Sequence, residues 1–217
     1  MCRRLGIMGG TFDPVHFGHL RAAEEACEAL DFQQFMFMPA ADPPHKSGGG
    51  ITPFTHRARM VQLATQDNPR FELSDLEQRR SGKSYTVVTL NNLLQSVEKK
   101  TEIYFLVGLD SFLELDTWWH YREIFQLARI VVLRRPGYVE HEMENFLTQH
   151  VSDLYRLERG AKVFRHPSLL PVHFLANTHF GISSTQIRQA VKQGKSIRYL
   201  TPCDVVEYIR QNGLYGE

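Results

Sequence analysis

Twelve residues near the start constrain the fold of this chain most: Gly9-Gly10-Thr11-Phe12-Asp13-Pro14-Val15-His16-Phe17-Gly18-His19-Leu20. An apolar run from Leu5 to Met8 precedes them, and Leu20, Ala23, Cys27 and Leu30 follow at helical spacing. The order is therefore strand, glycine turn, helix, with the strand over about Arg3 to Met8 and the helix from about Gly18 to Leu30. A helix that starts just beyond a strand is a natural anion site, because unpaired N–H groups and the helix dipole point outward there. The glycines let the backbone approach a phosphate closely. His16 and His19 lie three apart on one helical turn and face the same way. Two imidazoles so placed can donate hydrogen bonds to charge developing on phosphorus oxygens.

Downstream, Gln33-Gln34-Phe35-Met36-Phe37-Met38 reads as a buried strand closed by Pro39, which completes a β-α-β unit. Such units imply a parallel sheet with right-handed crossovers. Ile103 to Val107 and Ile130 to Leu133 read as buried central strands, and Phe71 to Leu73 and Val172 to Leu175 as shorter ones. The expected class is α/β: a doubly wound, mainly parallel sheet with helices on both faces. At 217 residues the chain fits a single domain over 1–217, with a small helical C-terminal part from about 183 to 217. The stretch 139–170 is polar and weakly periodic and reads as an irregular helical excursion.

Composition narrows function by exclusion. Hydrophobic residues make up 42% and charged residues 23% of the chain, so an ordinary globular core is expected. A net charge of +1 argues against nucleic acid or a membrane surface as partner. No apolar run approaches the roughly 18 residues of a membrane span, and the stretch after Arg3 and Arg4 breaks at Gly9, unlike a signal peptide. Cys2, Cys27 and Cys203 form neither ligand spacing nor a disulfide framework and suit a reducing cytoplasm. The G-x-G-x-x-G fingerprint is missing from the first β-α-β unit, so a bound NAD as redox cofactor is not expected. Gly82-Lys83-Ser84 suggests a P-loop, but that motif needs a glycine where Glu77 stands.

Other segments carry chemistry with a bland alternative beside it. Pro39 to Lys46 is stiffened by prolines and Ser47 to Gly50 is loosened by glycines. It is either a surface loop or one that brings His45 and Lys46 to a phosphate. Thr52-Pro53 opens a helix whose apolar face is spaced by Phe54, Ala58, Val61 and Ala64, with His56, Arg57 and Arg59 read as a solvated face. Ser84-Tyr85-Thr86 reads as a helix start that offers a hydroxyl and N–H groups to a small anion. Gly108-Leu109-Asp110-Ser111 ends a central strand, and Asp110 either takes ribose hydroxyls or caps the next helix. Trp118 and Trp119 read on their own as a core or interface pair. Arg134 at a strand end can reach a triphosphate. Ile182-Ser183-Ser184 opens a helix with Arg188 one turn in, either a capped surface helix or a phosphate-tail site.

Taken together, these motifs resemble the bacterial nicotinate-mononucleotide adenylyltransferases, within the nucleotidyltransferases that carry an H-x-G-H signature on a Rossmann-like fold. Five motifs stand in that family's order: the His16/His19 stretch, Pro43-Pro44-His45-Lys46, Ser84-Tyr85-Thr86, Gly108-x-Asp110-Ser111 with the tryptophan pair, and Ile182-Ser183-Ser184-Thr185-x-Ile187-Arg188. The resemblance implies adenylyl transfer from ATP to nicotinate mononucleotide, giving nicotinate adenine dinucleotide and pyrophosphate. It implies catalytic roles for His16, His19, Lys46 and Arg188. ATP would meet Gly9, Gly10, Thr11 and Phe12 after the first strand. It would also meet Gly108, Asp110 and Arg134 at later strand ends, and Ile182, Ser183 and Ser184 at the last motif. Nicotinate mononucleotide would meet His45, Ser84, Tyr85 and Thr86, with Trp118 stacked on the pyridine ring and the Trp119 backbone N–H holding the carboxylate. Mg²⁺ would travel on the ATP phosphates, with no metal site on the protein. The sequence leaves open a homo-oligomer. A pantetheine-phosphate adenylyltransferase and a nucleotide-binding sensor without turnover are the alternatives.

Overall fold

The computed structural model of the chain describes residues 2–43, 50–134 and 140–216. Eight strands form one sheet in the order β3-β2-β1-β4-β5-β8-β7-β6: β1 Arg3–Gly10, β2 Gln34–Pro39, β3 Phe71–Leu73, β4 Thr101–Gly108, β5 Arg129–Leu133, β6 Arg156–Glu158, β7 Val163–Arg165 and β8 Val172–Leu175. The pairings from β3 across to β8 are parallel, while β7 runs antiparallel to both β8 and β6. The helices are α1 Phe17–Leu30, α2 Phe54–Thr65, α3 Thr86–Ser96, α4 Leu109–Leu113, α5 Tyr121–Leu127, α6 Glu140–Phe146, α7 Ser184–Lys192 and α8 Cys203–Gln211.

Alternation along the central strands builds two cores. Ile103, Phe105 and Val107 of β4 face α3, α4 and α5, whereas Tyr104 and Leu106 face the layer of α1, α2 and α8. Both faces of the strand are covered, which is why its sequence is continuously apolar. Gly6 sits where β1 passes under an aromatic cluster, and a Cβ there would lie 2.5 Å from the Phe35 ring and 2.6 Å from that of Phe32. The 139–170 stretch corrects the sequence reading in part. It begins with α6 and a π-helical turn over Leu147–Val151, but it also supplies the antiparallel strands β6 and β7.

The strand order fixes where a ligand can bind. From β1 the chain moves outward through β2 and β3, then returns to add β4 and β5 on the other side. At this reversal the loops after β1 and β4 diverge and leave a crevice beyond the strands' C-terminal ends.

Candidate active site

A cavity of about 610 Å³ fills that crevice. Its floor is Met8 and Gly9 at the end of β1, Phe105 to Gly108 at the end of β4, Leu133 at the end of β5 and Arg134 just beyond it. Its walls are His16, Gly18 and His19 at the start of α1 and Gly181 to Ser184 at the start of α7. Two helix N-termini therefore open onto one volume, which favours negative charge there. The size is within the range of cavities that enclose small-molecule cofactors.

The two histidines are set by local geometry. His16 is the N-cap of α1 in an extended conformation, and its ring stacks on that of His19 with centroids 3.7 Å apart. The His16 backbone N–H donates to His19 Nδ1 at 3.3 Å. A neutral imidazole that accepts on Nδ1 carries its proton on Nε2. Burial pushes the His16 pKa down to about 4 and also drives that of His19 well below its usual value, with the neighbouring His16 adding to it. Both rings are thus neutral near pH 7. Gly18 suits this packing, since a Cβ there would stand 3.0 Å from His16 Nδ1, closer than ordinary contact, and would push against that ring.

The turn that carries these residues is held through its carbonyls. Arg188 Nη1 donates to Asp13 O at 2.6 Å, Ser184 Oγ to Pro14 O at 2.8 Å and Thr201 Oγ1 to Val15 O at 2.8 Å. Consecutive peptide groups are thereby locked to α7 and to the entry of α8. Ser183 caps α7 by accepting from the Gln186 N–H at 3.2 Å, while Gln186 Oε1 accepts from the Ser183 N–H at 2.9 Å. This is the capping box that the serine-rich motif encodes.

Of the residues singled out from sequence, the cavity gathers Gly9, His16, His19, Gly108, Trp118, Arg134, Ile182, Ser183 and Ser184. Gly10 and Thr11 continue the turn, and Phe12 is buried with its ring edge-on to His19 at 5.0 Å, so only its backbone is available to a ligand. Asp110 stands in the first turn of α4, whose cap is Gly108, so the capping alternative for Asp110 is corrected. Arg188 does not line the cavity; its Nη1 donates to Asp13 O and its Nη2 to Thr185 Oγ1 at 3.3 Å. His45 and Lys46 lie outside the described residues.

Ser84, Tyr85 and Thr86 form a second cluster at the start of α3. Ser84 Oγ accepts from the Asp42 N–H at 3.0 Å, and the Ser84 N–H donates to Asp42 O at 2.9 Å. Trp119 is 49% exposed and its ring lies 4.9 Å from that of Tyr85, while Trp118 packs on Phe105 and lines the cavity. The tryptophan pair therefore spans from the cavity to the α3 N-terminus.

The sequence reading did not single out Thr178, His179 and Phe180, which line the cavity between β8 and α7. Their position after a parallel strand and before a helix is the only signal that marks them, since the segment holds no recognisable motif. Among the described residues, no group of three or more His, Cys, Asp or Glu is set to hold a metal ion, and no helix is long and apolar enough to cross a membrane.

Comparison with known proteins bears on this geometry. Residues 7–190 match the family described as "Cytidylyltransferase-like". A protein of Trichlorobacter lovleyi named "Probable nicotinate-nucleotide adenylyltransferase" is 47% identical over 212 residues, which cover 98% of this chain and 99% of that one. A protein of Geotalea daltonii with the same name is 42% identical over 214 residues, 99% of each chain. Among solved structures, the Plasmodium falciparum nicotinic acid mononucleotide adenylyltransferase complexed with NaAD superposes with a TM-score of 0.75 over 98% of this chain and 97% of that one. At 17% identity, that likeness speaks for the fold.

Proposed function

The chain belongs to the cytidylyltransferase-like family, and from that premise we propose that it transfers the adenylyl group of ATP to nicotinate mononucleotide, as the names of its close relatives state for them. The observation that carries this reading is the switch-point cavity, with the stacked His16 and His19 rings on one wall and the capped start of α7 on the other.

The chemistry asks little of a general base. The mononucleotide phosphate has a second pKa of about 6, so near pH 7 it is largely dianionic and already a nucleophile. One of its oxygens attacks the α-phosphorus of ATP, a new P–O–P bridge forms, and the bond to the β-phosphate breaks to release pyrophosphate. Catalysis is then mostly positioning and charge stabilisation. His16 and His19 act as neutral donors to the phosphate oxygens. The Gly9, Gly10 and Thr11 backbone and the α7 N-terminus receive the phosphates, with Arg134 at the rim and Arg188 and Lys46 adding positive charge. Mg²⁺ would travel on the ATP phosphates rather than on protein ligands, since no group of three or more His, Cys, Asp or Glu among the described residues is set to hold it, and it would supply charge neutralisation between the two anions. Asp110 and Gly108 serve the nucleoside end.

The acceptor's pyridine stacks on Trp118, and its carboxylate meets the α3 N-terminus at Ser84, Tyr85 and Thr86 and the Trp119 N–H. Donors converging there suit a carboxylate, whereas an amide –NH₂ would set donor against donor. The test is pyrophosphate release from ATP and Mg²⁺ with nicotinate mononucleotide, nicotinamide mononucleotide and phosphopantetheine in parallel. Turnover with the first, and kcat/KM lower by about tenfold or more with the second, is expected. Comparable values for both would overturn the carboxylate assignment. Turnover with phosphopantetheine alone would replace the acceptor, and none with any substrate, while ATP still binds, would leave a sensor.

A further inference from the structure

Arg57 was expected on a solvated helix face, yet it is 2% exposed. Its guanidinium donates in three directions: Nη1 to Thr11 O at 2.7 Å, Nη2 to Ala40 O at 2.8 Å and Nε to Thr52 O at 2.8 Å. These carbonyls belong to three separate segments: the turn after β1, the loop after β2 and the entry to α2. Asp13 repeats the connection from the turn, its Oδ2 accepting from the Thr52 N–H at 3.2 Å and its Oδ1 from the Tyr215 hydroxyl at 2.7 Å. The peptide group between Ala40 and Ala41 is held at both ends. Its carbonyl accepts from Arg57, and its N–H donates to Glu77 Oε2 at 3.2 Å, with Glu77 Oε1 fixed by the Thr89 hydroxyl at 2.7 Å. One residue further on, Asp42 is bonded through both its N–H and its carbonyl to Ser84.

A buried cation is costly, and an apolar side chain of similar volume often gives a more stable fold. What a guanidinium adds is a rigid planar fork able to fix several acceptors at once. Here it connects the phosphate-facing turn to the loop base that carries the Ser84 cluster. We propose that Arg57 is a positioning residue: it holds the β1–α1 turn and the Asp42–Ser84 side of the site in one register, so that the two bound phosphates meet in line. The inference rests on the adenylyl-transfer reading, in which the turn receives ATP and the Ser84 side receives the acceptor. Positioning of this kind acts on kcat, because misplacement by about 1 Å can cost about 10²-fold in rate.

Arg57→Lys tests it, since one ammonium cannot reach three carbonyls that lie in three directions. Val61→Ala, a buried truncation on the same helix, is the control for lost stability. For Arg57→Lys, kcat for pyrophosphate release is expected to fall by about 30- to 100-fold, with KM for both substrates within about threefold. Val61→Ala should keep kcat within about twofold. Amide exchange read by mass spectrometry gives an answer independent of turnover: peptides containing Ala41 and Thr52 should exchange about tenfold faster in Arg57→Lys but not in Val61→Ala. An Arg57→Lys kcat within about threefold of wild type, or an equal kcat loss in Val61→Ala, overturns the proposal. If Arg57→Lys does not fold, Tyr215→Phe decides. Loss of its bond to Asp13 should lower kcat about threefold or more at unchanged KM, and an unchanged kcat overturns the proposal. If the wild-type protein releases no pyrophosphate, the reading of the reaction fails, and the exchange comparison alone decides the positioning.

Discussion

At the scale of single residues, the site depends on how two imidazoles are held. Because the His16 N–H occupies His19 Nδ1, the His19 proton sits on Nε2, and burial keeps the ring from taking a second one. The donor is therefore present without a titration step. Nitrogen NMR of His19 should show the Nε2–H tautomer near pH 7; an Nδ1–H signature would contradict this geometry. His19→Ala should lower kcat by about 10²- to 10³-fold, the scale of losing one preorganised donor to a developing oxyanion. A kcat within twofold of wild type would remove His19 from the mechanism. Gly18→Ala probes the same wall without touching either ring's chemistry. A methyl group 3.0 Å from His16 Nδ1 must displace that ring, so kcat should fall about tenfold or more while the far-ultraviolet circular dichroism stays that of the wild type.

At the scale of elements, the α7 capping box joins fold and site. Ser183→Ala removes the acceptor of the Gln186 N–H and should cost about 1 kcal/mol in urea unfolding. No measurable loss would mean that the packing of Ile187 and the Ser184 and Arg188 bonds hold α7 without its capping box. What was legible in the sequence follows the same division. The β-α-β units were readable because buried parallel strands are continuous apolar runs, and helix starts were readable because caps use few residue types. Strands β6 and β7 were not, since three residues each, alternating in exposure in β6 and buried at Val163 and Phe164 in β7, leave too short a pattern to separate from a loop. Arg57 was misread for a different reason. Its spacing from Phe54 and Val61 is that of one buried helical stripe, but its charge argued for solvent. The three carbonyls that justify the charge come from segments no local pattern brings together. The same holds for Thr178 to Phe180, which enter the site through the sheet order alone.

At the scale of the whole molecule, buried histidines link folding to pH. His16 and His173 both have pKa values lowered to about 4, each chiefly by burial, with Arg129 adding to the effect at His173. In the unfolded chain a histidine titrates near about 6.5. Between those values the unfolded state binds more protons than the native one, so stability rises with pH across the window. Put as acidification, the stabilisation is full above about pH 6.5 and is lost as pH falls toward about 4. Each histidine contributes on the order of 1 kcal/mol per pH unit within the window. The two sit at different places: His16 at the start of α1 and His173 in β8, near Tyr104 with ring centroids 5.6 Å apart. If residues 1–217 fold as one domain, both must act on a single cooperative transition. Urea midpoints measured from pH 7 to pH 4.5 should therefore fall together by every probe, and His173→Asn should reduce the pH slope by roughly a third, because His16 and His19 both keep their lowered pKa values. A midpoint independent of pH would refute the linkage. Two transitions, only one of them sensitive to His173, would instead divide the chain into separate folding units, with the catalytic turn in one and the β8 edge of the sheet in the other.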